Sequence, residues 1–324
     1  MQKICVNMEY LILILSLAGI VLGADFLVKG AVVVARKCRV SSFVIGAVIV
    51  GIGTSLPELV VSTVGAIGGN SEVAIGNVVG SNIFNVFAIL GLTALFFPIA
   101  VSRENMKFEI PFCIAVSILL MLLVYNFFIV GESRLGRWDG AALLLVFTSF
   151  MWISLRRGKN SAAAVGESVE EVNKSLWFAA FSILGGLAAL IVSSNFFVDE
   201  AVAIARKLGV SDAFISITLL ACGTSLPELA ASVTAAVKKD TDMALGNIIG
   251  SNIFNATMIL GTASLITPLT TGKIGLVDYG AMILAAVLPM IFGIRGKITR
   301  FEGLLMLLCY AAYTWYIVTY VMAV

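Results

Sequence analysis

The chain has 324 residues, of which 60% are hydrophobic and only 12% charged, with a mean hydropathy of +1.05. A soluble domain is about 45–50% apolar and about 25% charged, so this composition excludes a soluble globular protein and indicates a polytopic membrane protein. The net charge of +2 offers no case for nucleic-acid binding, and the complete lack of histidine excludes His-based proton relays, catalytic triads and most zinc or haem sites.

A membrane-spanning helix needs about 20 apolar residues. By that measure ten spans are expected, at about 9–35, 42–68, 73–98, 108–130, 138–155, 175–205, 212–237, 243–268, 275–294 and 301–322. Lys3 followed by LILILSLAGIVLG, the start of the first span, resembles a signal peptide. It runs on past Gly23 without a stop and therefore reads as a transmembrane helix. The segment RRGKNSAAAVGESVEEVNKS (156–175) is polar, too short for a folded domain, and reads as a linker. Cys5, Cys38, Cys113, Cys222 and Cys309 are scattered without a CxxC pair and read as small apolar side chains rather than a disulfide frame.

The chain repeats itself. Residues 25–99 align with 195–269 without a gap at an offset of 170. GTSLPEL occurs at 53–59 and again at 223–229, and GNVVGSNIFN (76–85) returns as GNIIGSNIFN (246–255). Arg137-Trp138-Asp139-Gly140 is similar to Arg300-Phe301-Glu302-Gly303. The expected organisation is a five-helix half at 1–155, a cytoplasmic linker at 156–174 and a second five-helix half at 175–324. The repeated motifs fall in 51–91 and 221–261.

Five is odd, so the second half enters the membrane from the opposite side and the repeat is inverted. With the N-terminus outside, the inner loops carry Arg36, Lys37, Arg39, Arg103, Lys107, Arg156, Arg157, Lys159, Lys174, Lys238, Lys239, Arg295, Lys297 and Arg300, which is 14 basic residues. The outer loops carry Lys3, Arg134, Arg137, Arg206, Lys207 and Lys273, which is six. The excess of positive charge inside favours both termini outside.

The motifs suggest the chemistry. Pro57 and Pro227 lack an N–H, so each should break its helix and free carbonyls around Gly53-Thr54 and Gly223-Thr224. Glu58 and Glu228 lie near the centre of their spans, where a charge costs about 2.5–3.5 kcal/mol or more and normally marks function. Thr54 and Glu58 share a helix face, as do Ser81 and Asn85 in the first half and Ser251 and Asn255 in the second. Hydroxyl, amide, carbonyl and carboxylate oxygens are hard donors that suit Ca²⁺ or Na⁺ and not soft metals. The glycines of GNxxG allow close helix packing, and Asn77, Asn82, Asn247 and Asn252 are equally well read as ties between helices. Asp25, Lys29 and Asp199 read as structural charges, and Asp139, Asp278 and Glu302 as interfacial ones.

GTSLPEL and GNxxGSNIFN, each present twice, closely resemble the alpha-repeats of the Ca²⁺/cation antiporter superfamily, and most of all the prokaryotic sodium/calcium exchangers. The resemblance spans both halves. It implies an all-α polytopic membrane protein with ten transmembrane helices, arranged as two inverted five-helix repeats with broken helices at the midplane. It further implies exchange of Na⁺ for Ca²⁺ by alternating access across a prokaryotic inner membrane. The ion ligands it implies are Glu58, Glu228, the carbonyls of Thr54 and Thr224, Ser55, Ser225, Ser81, Ser251, Asn85 and Asn255. Ala221 is implied as a carbonyl ligand, with Gly51 its counterpart. Some relatives have Asp where Asn255 stands, so this site has at most two carboxylates, which weakens a case for K⁺ co-transport. Transported Ca²⁺ and Na⁺ take the place of cofactors; the lipid bilayer is the expected partner, with no nucleic acid, no obligatory protein partner and no separate Ca²⁺-sensor domain. One Ca²⁺ or two Na⁺ would neutralise the two glutamates. H⁺/Ca²⁺ antiport through the same glutamates is the alternative; a cation channel and an intramembrane hydrolase rank below it.

Overall fold

The computed structural model describes residues 2–125, 133–160, 175–209, 221–272 and 274–321. The long helices are α1 (Gln2–Cys38), α2 (Ser42–Thr54), α3 (Leu56–Ile67), α4 (Ser71–Phe96), α5 (Asn105–Tyr125), α6 (Arg137–Asn160), α7 (Leu176–Lys207), α8 (Leu226–Val237), α9 (Thr241–Ile266), α10 (Leu276–Gly293) and α11 (Arg300–Tyr316). Eight of these are long and apolar enough to cross a membrane. The pair α2–α3, bent by 47°, makes a ninth candidate. The expected span at 212–237 appears here as the turn Ala221–Gly223 followed by α8, and its beginning lies outside the described residues. Helix α6 continues to Asn160, five residues into the segment expected to be linker.

Helix starts follow their capping chemistry. Ser175 accepts from the Phe178 N–H at 3.1 Å, and Asp240 accepts from the Met243 N–H at 3.0 Å. Asp139 receives the Gly136 N–H at 2.8 Å at the start of α6, and Glu302 receives the Thr299 N–H at 2.6 Å at the start of α11. The interfacial acids Asp139 and Glu302 thus hold the helix starts. Helix ends use left-handed backbone. Gly69 (φ +79°) and Lys239 (φ +65°) occupy equivalent turns in the two halves, as do Gly209 (φ +79°) and Arg39 (φ +50°).

Two short antiparallel ribbons bind the halves together. β1 (Ile99–Ala100) pairs with β4 (Lys297–Ile298) in the register Ile99↔Ile298, and β2 (Arg134–Leu135) pairs with β3 (Leu269–Thr270) in the register Leu135↔Leu269. Helix α5 runs from the β1·β4 ribbon to the β2·β3 ribbon, and α10 runs the other way. Both helices are about 27–32 Å long, enough to separate the ribbons by a bilayer core. Helices α4 and α9 also oppose each other. Ser71, at the start of α4, meets Thr270 at 2.8 Å, and Thr241, at the start of α9, accepts from the Ala100 N–H at 3.3 Å.

Helices α4 and α9, which carry the GNxxGSNIFN copies, are buried along most of their length and form the centre of the molecule. Helices α1 and α7 lie together along one side. A Cβ on Gly23 would come within 2.9 Å of the Gly186 carbonyl, and one on Gly186 within 2.6 Å of the Leu27 nitrogen, so the two backbones nearly touch. Lys207 and Glu9 form an ion pair between them. Asp25 pairs with Lys29 at 2.6 Å and with Lys238, just past α8, at 2.7 Å, in keeping with structural charges.

Candidate functional site

The break in α2–α3 falls at Ser55, whose backbone (φ −84°, ψ +10°) leaves the helix; Pro57 sits one residue into the next turn. Ser225 (φ −94°, ψ +9°) and Pro227 repeat the arrangement before α8. Proline stands where its missing N–H leaves no hydrogen bond unmade, at the beginning of a helix rather than in its middle. Glu58 and Glu228 follow directly, in the first turn of each half-helix, and neither has any solvent exposure.

The two halves complete each other. Ser55 Oγ donates to Glu228 Oε1 at 2.8 Å, and Ser225 Oγ donates to Glu58 Oε1 at 3.0 Å. Ser225 also meets Ser81 Oγ at 3.3 Å, and Ser251 Oγ donates to the Gly51 carbonyl at 3.2 Å. Asn85 Nδ2 donates to Asn252 Oδ1 at 3.0 Å. Asn82 and Asn252 exchange reciprocal bonds, each amide donating to the other's backbone carbonyl at 3.1 Å. Ser55, Glu58, Ser81, Asn85, Ser225, Glu228, Ser251, Asn255 and Thr54 are all buried. Thr54 Oγ1 turns back to the Val50 carbonyl at 3.0 Å, which leaves its own carbonyl as the donor nearest the break. Thr224 is half-buried, and Ala221 opens the turn that leads to it.

Several buried oxygens have no partner: Glu58 Oε2, Glu228 Oε2, Asn85 Oδ1, Asn255 Oδ1 and Thr224 Oγ1. No lysine or arginine is fully buried among the described residues. An uncompensated carboxylate in such a place costs several kcal/mol. The donor set of carboxylate, amide and hydroxyl oxygens without sulfur or imidazole fits a hard cation.

Sequence reasoning did not anticipate three features. One is the crossing of the serine–glutamate bonds between halves, for which the sequence carries no signal beyond the repeat itself. Another is the π-helical turn that begins at Asn85 and again at Asn255. Such turns recur at functional sites but have no residue signature. The third is the pair Asn77 and Asn247. These do not merely join helices; they bond to the backbone of the glutamates. Asn77 Nδ2 reaches the Glu58 carbonyl at 3.3 Å, and Asn247 Nδ2 reaches that of Glu228 at 3.1 Å.

Comparison with known proteins agrees with this arrangement. The family model described as sodium/calcium exchanger protein matches residues 8–156 and 178–319. The chain belongs to this family. It is 35% identical to the sodium/calcium exchanger MaX1 of Methanosarcina acetivorans, over 95% of this chain and 98% of that one. It is 37% identical to the putative antiporter CaxA of Alkalimonas amylolytica, over 93% of this chain and 96% of that one. A structure of the sodium-calcium exchanger NCX_Mj soaked with 10 mM Na⁺ and no Ca²⁺ superposes with a TM-score of 0.82. It shares 32% identity and covers 97% of this chain and 99% of its own. The sodium/calcium exchanger family member described here is therefore a membrane antiporter for cations, and no enzymatic family is indicated.

Proposed function

We propose that the protein exchanges Na⁺ for Ca²⁺ across a prokaryotic inner membrane by alternating access, the two ions competing for Glu58 and Glu228. One observation carries the reading. Each glutamate is buried and held through one oxygen by a serine of the opposite half, while its other oxygen is unpartnered. A cation between the two would answer both. Two carboxylates carry −2, which one Ca²⁺ or two Na⁺ neutralises, so the ions exclude each other and exchange is obligatory. Hydroxyl and carbonyl oxygens of Thr54, Thr224, Ser81, Ser251, Gly51 and Ala221, with the amides of Asn85 and Asn255, complete the proposed ligand set. The names of MaX1 and NCX_Mj support Na⁺ and Ca²⁺ as substrates.

The same reading takes the chain as two inverted five-helix repeats, 1–155 and 175–324, with ten spans and both termini outside. The opposite directions of α5 and α10 between the two ribbons support the inversion. The closely packed pair α1–α7 is the proposed moving part. Its residues Leu187 and Val198 rest on Gly53 and Gly223, at the two helix breaks.

The test is radiolabelled Ca²⁺ uptake into proteoliposomes loaded with Na⁺ and diluted into Na⁺-free medium. Uptake that requires internal Na⁺ is the expected result. Uptake driven equally by a pH gradient without Na⁺ would replace the reading by H⁺/Ca²⁺ antiport, and flux without any counter-ion by a channel.

A further inference from the structure

We infer that Asn77 and Asn247 are positioning residues that set the two site glutamates, and that Asn247 carries the larger share. The inference rests on the reading of Glu58 and Glu228 as ion ligands. Both asparagines lie outside the ligand set.

Each half-helix starts without a side-chain cap. Ser55 and Ser225 make no side-chain cap to the turn that follows, and proline fills the second helical position. One backbone bond ties each first turn to its break, from the Leu59 N–H to the Ser55 carbonyl and from the Leu229 N–H to the Ser225 carbonyl, both at 3.1 Å, and the rotation of that turn about the helix axis decides where the glutamate carboxylate points. The asparagine of the neighbouring helix supplies the missing contact at two points. Asn77 Nδ2 donates to the Glu58 carbonyl at 3.3 Å and to Ser62 Oγ at 3.0 Å. Asn247 Nδ2 donates to the Glu228 carbonyl at 3.1 Å and to Ser232 Oγ at 2.8 Å. The acceptors are four residues apart, one turn along the same face. A two-point contact of that kind blocks rotation, which a single bond does not.

The chemistry explains the choice of an amide. A lysine or arginine here would reach the same carbonyl but bring a positive charge beside the carboxylate, in competition with the cation. The amide nitrogen holds the backbone and leaves the carboxylate's charge in place. The nitrogen is a donor only and so cannot itself be an ion ligand.

The two copies differ in one respect. Asn247 is 1% exposed, and its Oδ1 lies 3.4 Å from Thr54 Oγ1 of the other half, a hydroxyl whose single proton goes chiefly to the Val50 carbonyl at 3.0 Å. Asn77 is half-buried, and among the described residues it receives no bond from Thr224 Oγ1, the counterpart of that donor. Asn247 therefore brings its own glutamate into contact with the break of the opposite half, and Asn77 makes no such contact with Thr224.

The experiment uses the purified full chain in detergent. It measures Ca²⁺ and Na⁺ binding by titration calorimetry beside ion-free thermal unfolding, for wild type, Asn247→Leu, Asn77→Leu and Ser232→Ala. The expected result is a Ca²⁺ affinity about ten- to a hundredfold weaker in Asn247→Leu, from the loss of buried hydrogen bonds. Asn77→Leu should lose less. Ser232→Ala, which leaves Asn247 in place and touches no ion, should lose about three- to tenfold. A merely structural role would lower the unfolding temperature and leave the affinity of the folded protein unchanged. Wild-type affinity in both Asn247→Leu and Ser232→Ala would overturn the inference. Should Asn247→Leu fail to fold, wild-type affinity in Ser232→Ala alone would do so. Equal losses in Asn77→Leu and Asn247→Leu would overturn the unequal share. Wild-type protein that binds neither Ca²⁺ nor Na⁺ would instead overturn the exchanger reading on which the inference stands.

Discussion

The first copy of the motif pair, on α3 and α4, and the second, on α8 and α9, are nearly identical in sequence and unlike in surroundings. Thr54 is fully buried and Thr224 half-buried; Asn247 is buried and Asn77 half-buried. Gly246 and Gly250 are buried under α2, where a Cβ on Gly246 would stand 2.2 Å from the Phe43 carbonyl oxygen and one on Gly250 2.4 Å from the Ala47 Cα. Gly76 and Gly80, their counterparts, are half-buried. Of the described residues in the two motif copies, those of the second are on the whole the more deeply buried. A repeat fixes the residues of a site but not the burial of each copy.

The largest test of that comparison is at the glutamates. Glu58→Gln and Glu228→Gln should each reduce Ca²⁺ uptake in proteoliposomes at least about a hundredfold, because one buried carboxylate cannot neutralise a divalent ion. A variant of either residue that transports normally would break the equivalence of the copies. Next come the glycines. Gly246→Ala should destabilise by about 1–3 kcal/mol or prevent folding through overpacking against Phe43.

The asparagine knot sharpens the comparison further. Asn252 makes two side-chain bonds, to the Asn82 carbonyl and from Asn85, where Asn82 makes one to the Asn252 carbonyl and only a distant contact to the Met282 sulfur. Asn252→Ala should cost about 2 kcal/mol and Asn82→Ala about 1 kcal/mol of stability, read as shifts in unfolding temperature. The smallest effect is at the turns. Lys239→Gly and Arg39→Gly should each raise stability by about 0.5–1 kcal/mol, since both residues hold the left-handed backbone that glycine holds in the other half. Gly69→Ala and Gly209→Ala should lower it by a similar amount.

Much of this was legible in the sequence, because the relevant physics is local. Apolar run length marks the spans, and the proline places each helix break to within two residues, at Ser55 and Ser225. Two acids in apolar stretches marked the glutamates. What stayed hidden depends on how the halves meet. Nothing in the two motifs says that the serine of GTSLPEL bonds to the glutamate of the other copy, or that Asn77 and Asn247 reach the glutamates' backbone carbonyls as well as a serine hydroxyl. The ribbons were hidden as well: two-residue strands are too short to carry an alternating pattern, and their pairing joins Ile99 to Ile298 across most of the chain.

The crossed bonds bear on how the protein is made. Ser55, Glu58, Asn82 and Asn85 all belong to the half that leaves the ribosome first, and the groups they bond to in the other half have yet to be synthesised. Until α8 and α9 arrive, that half must keep a carboxylate and two amides wet or paired with makeshift neighbours, since bare hydrocarbon would penalise each by several kcal/mol. The part of the chain made first therefore lacks the final partners of its own buried polar groups until the later part of the same chain supplies them.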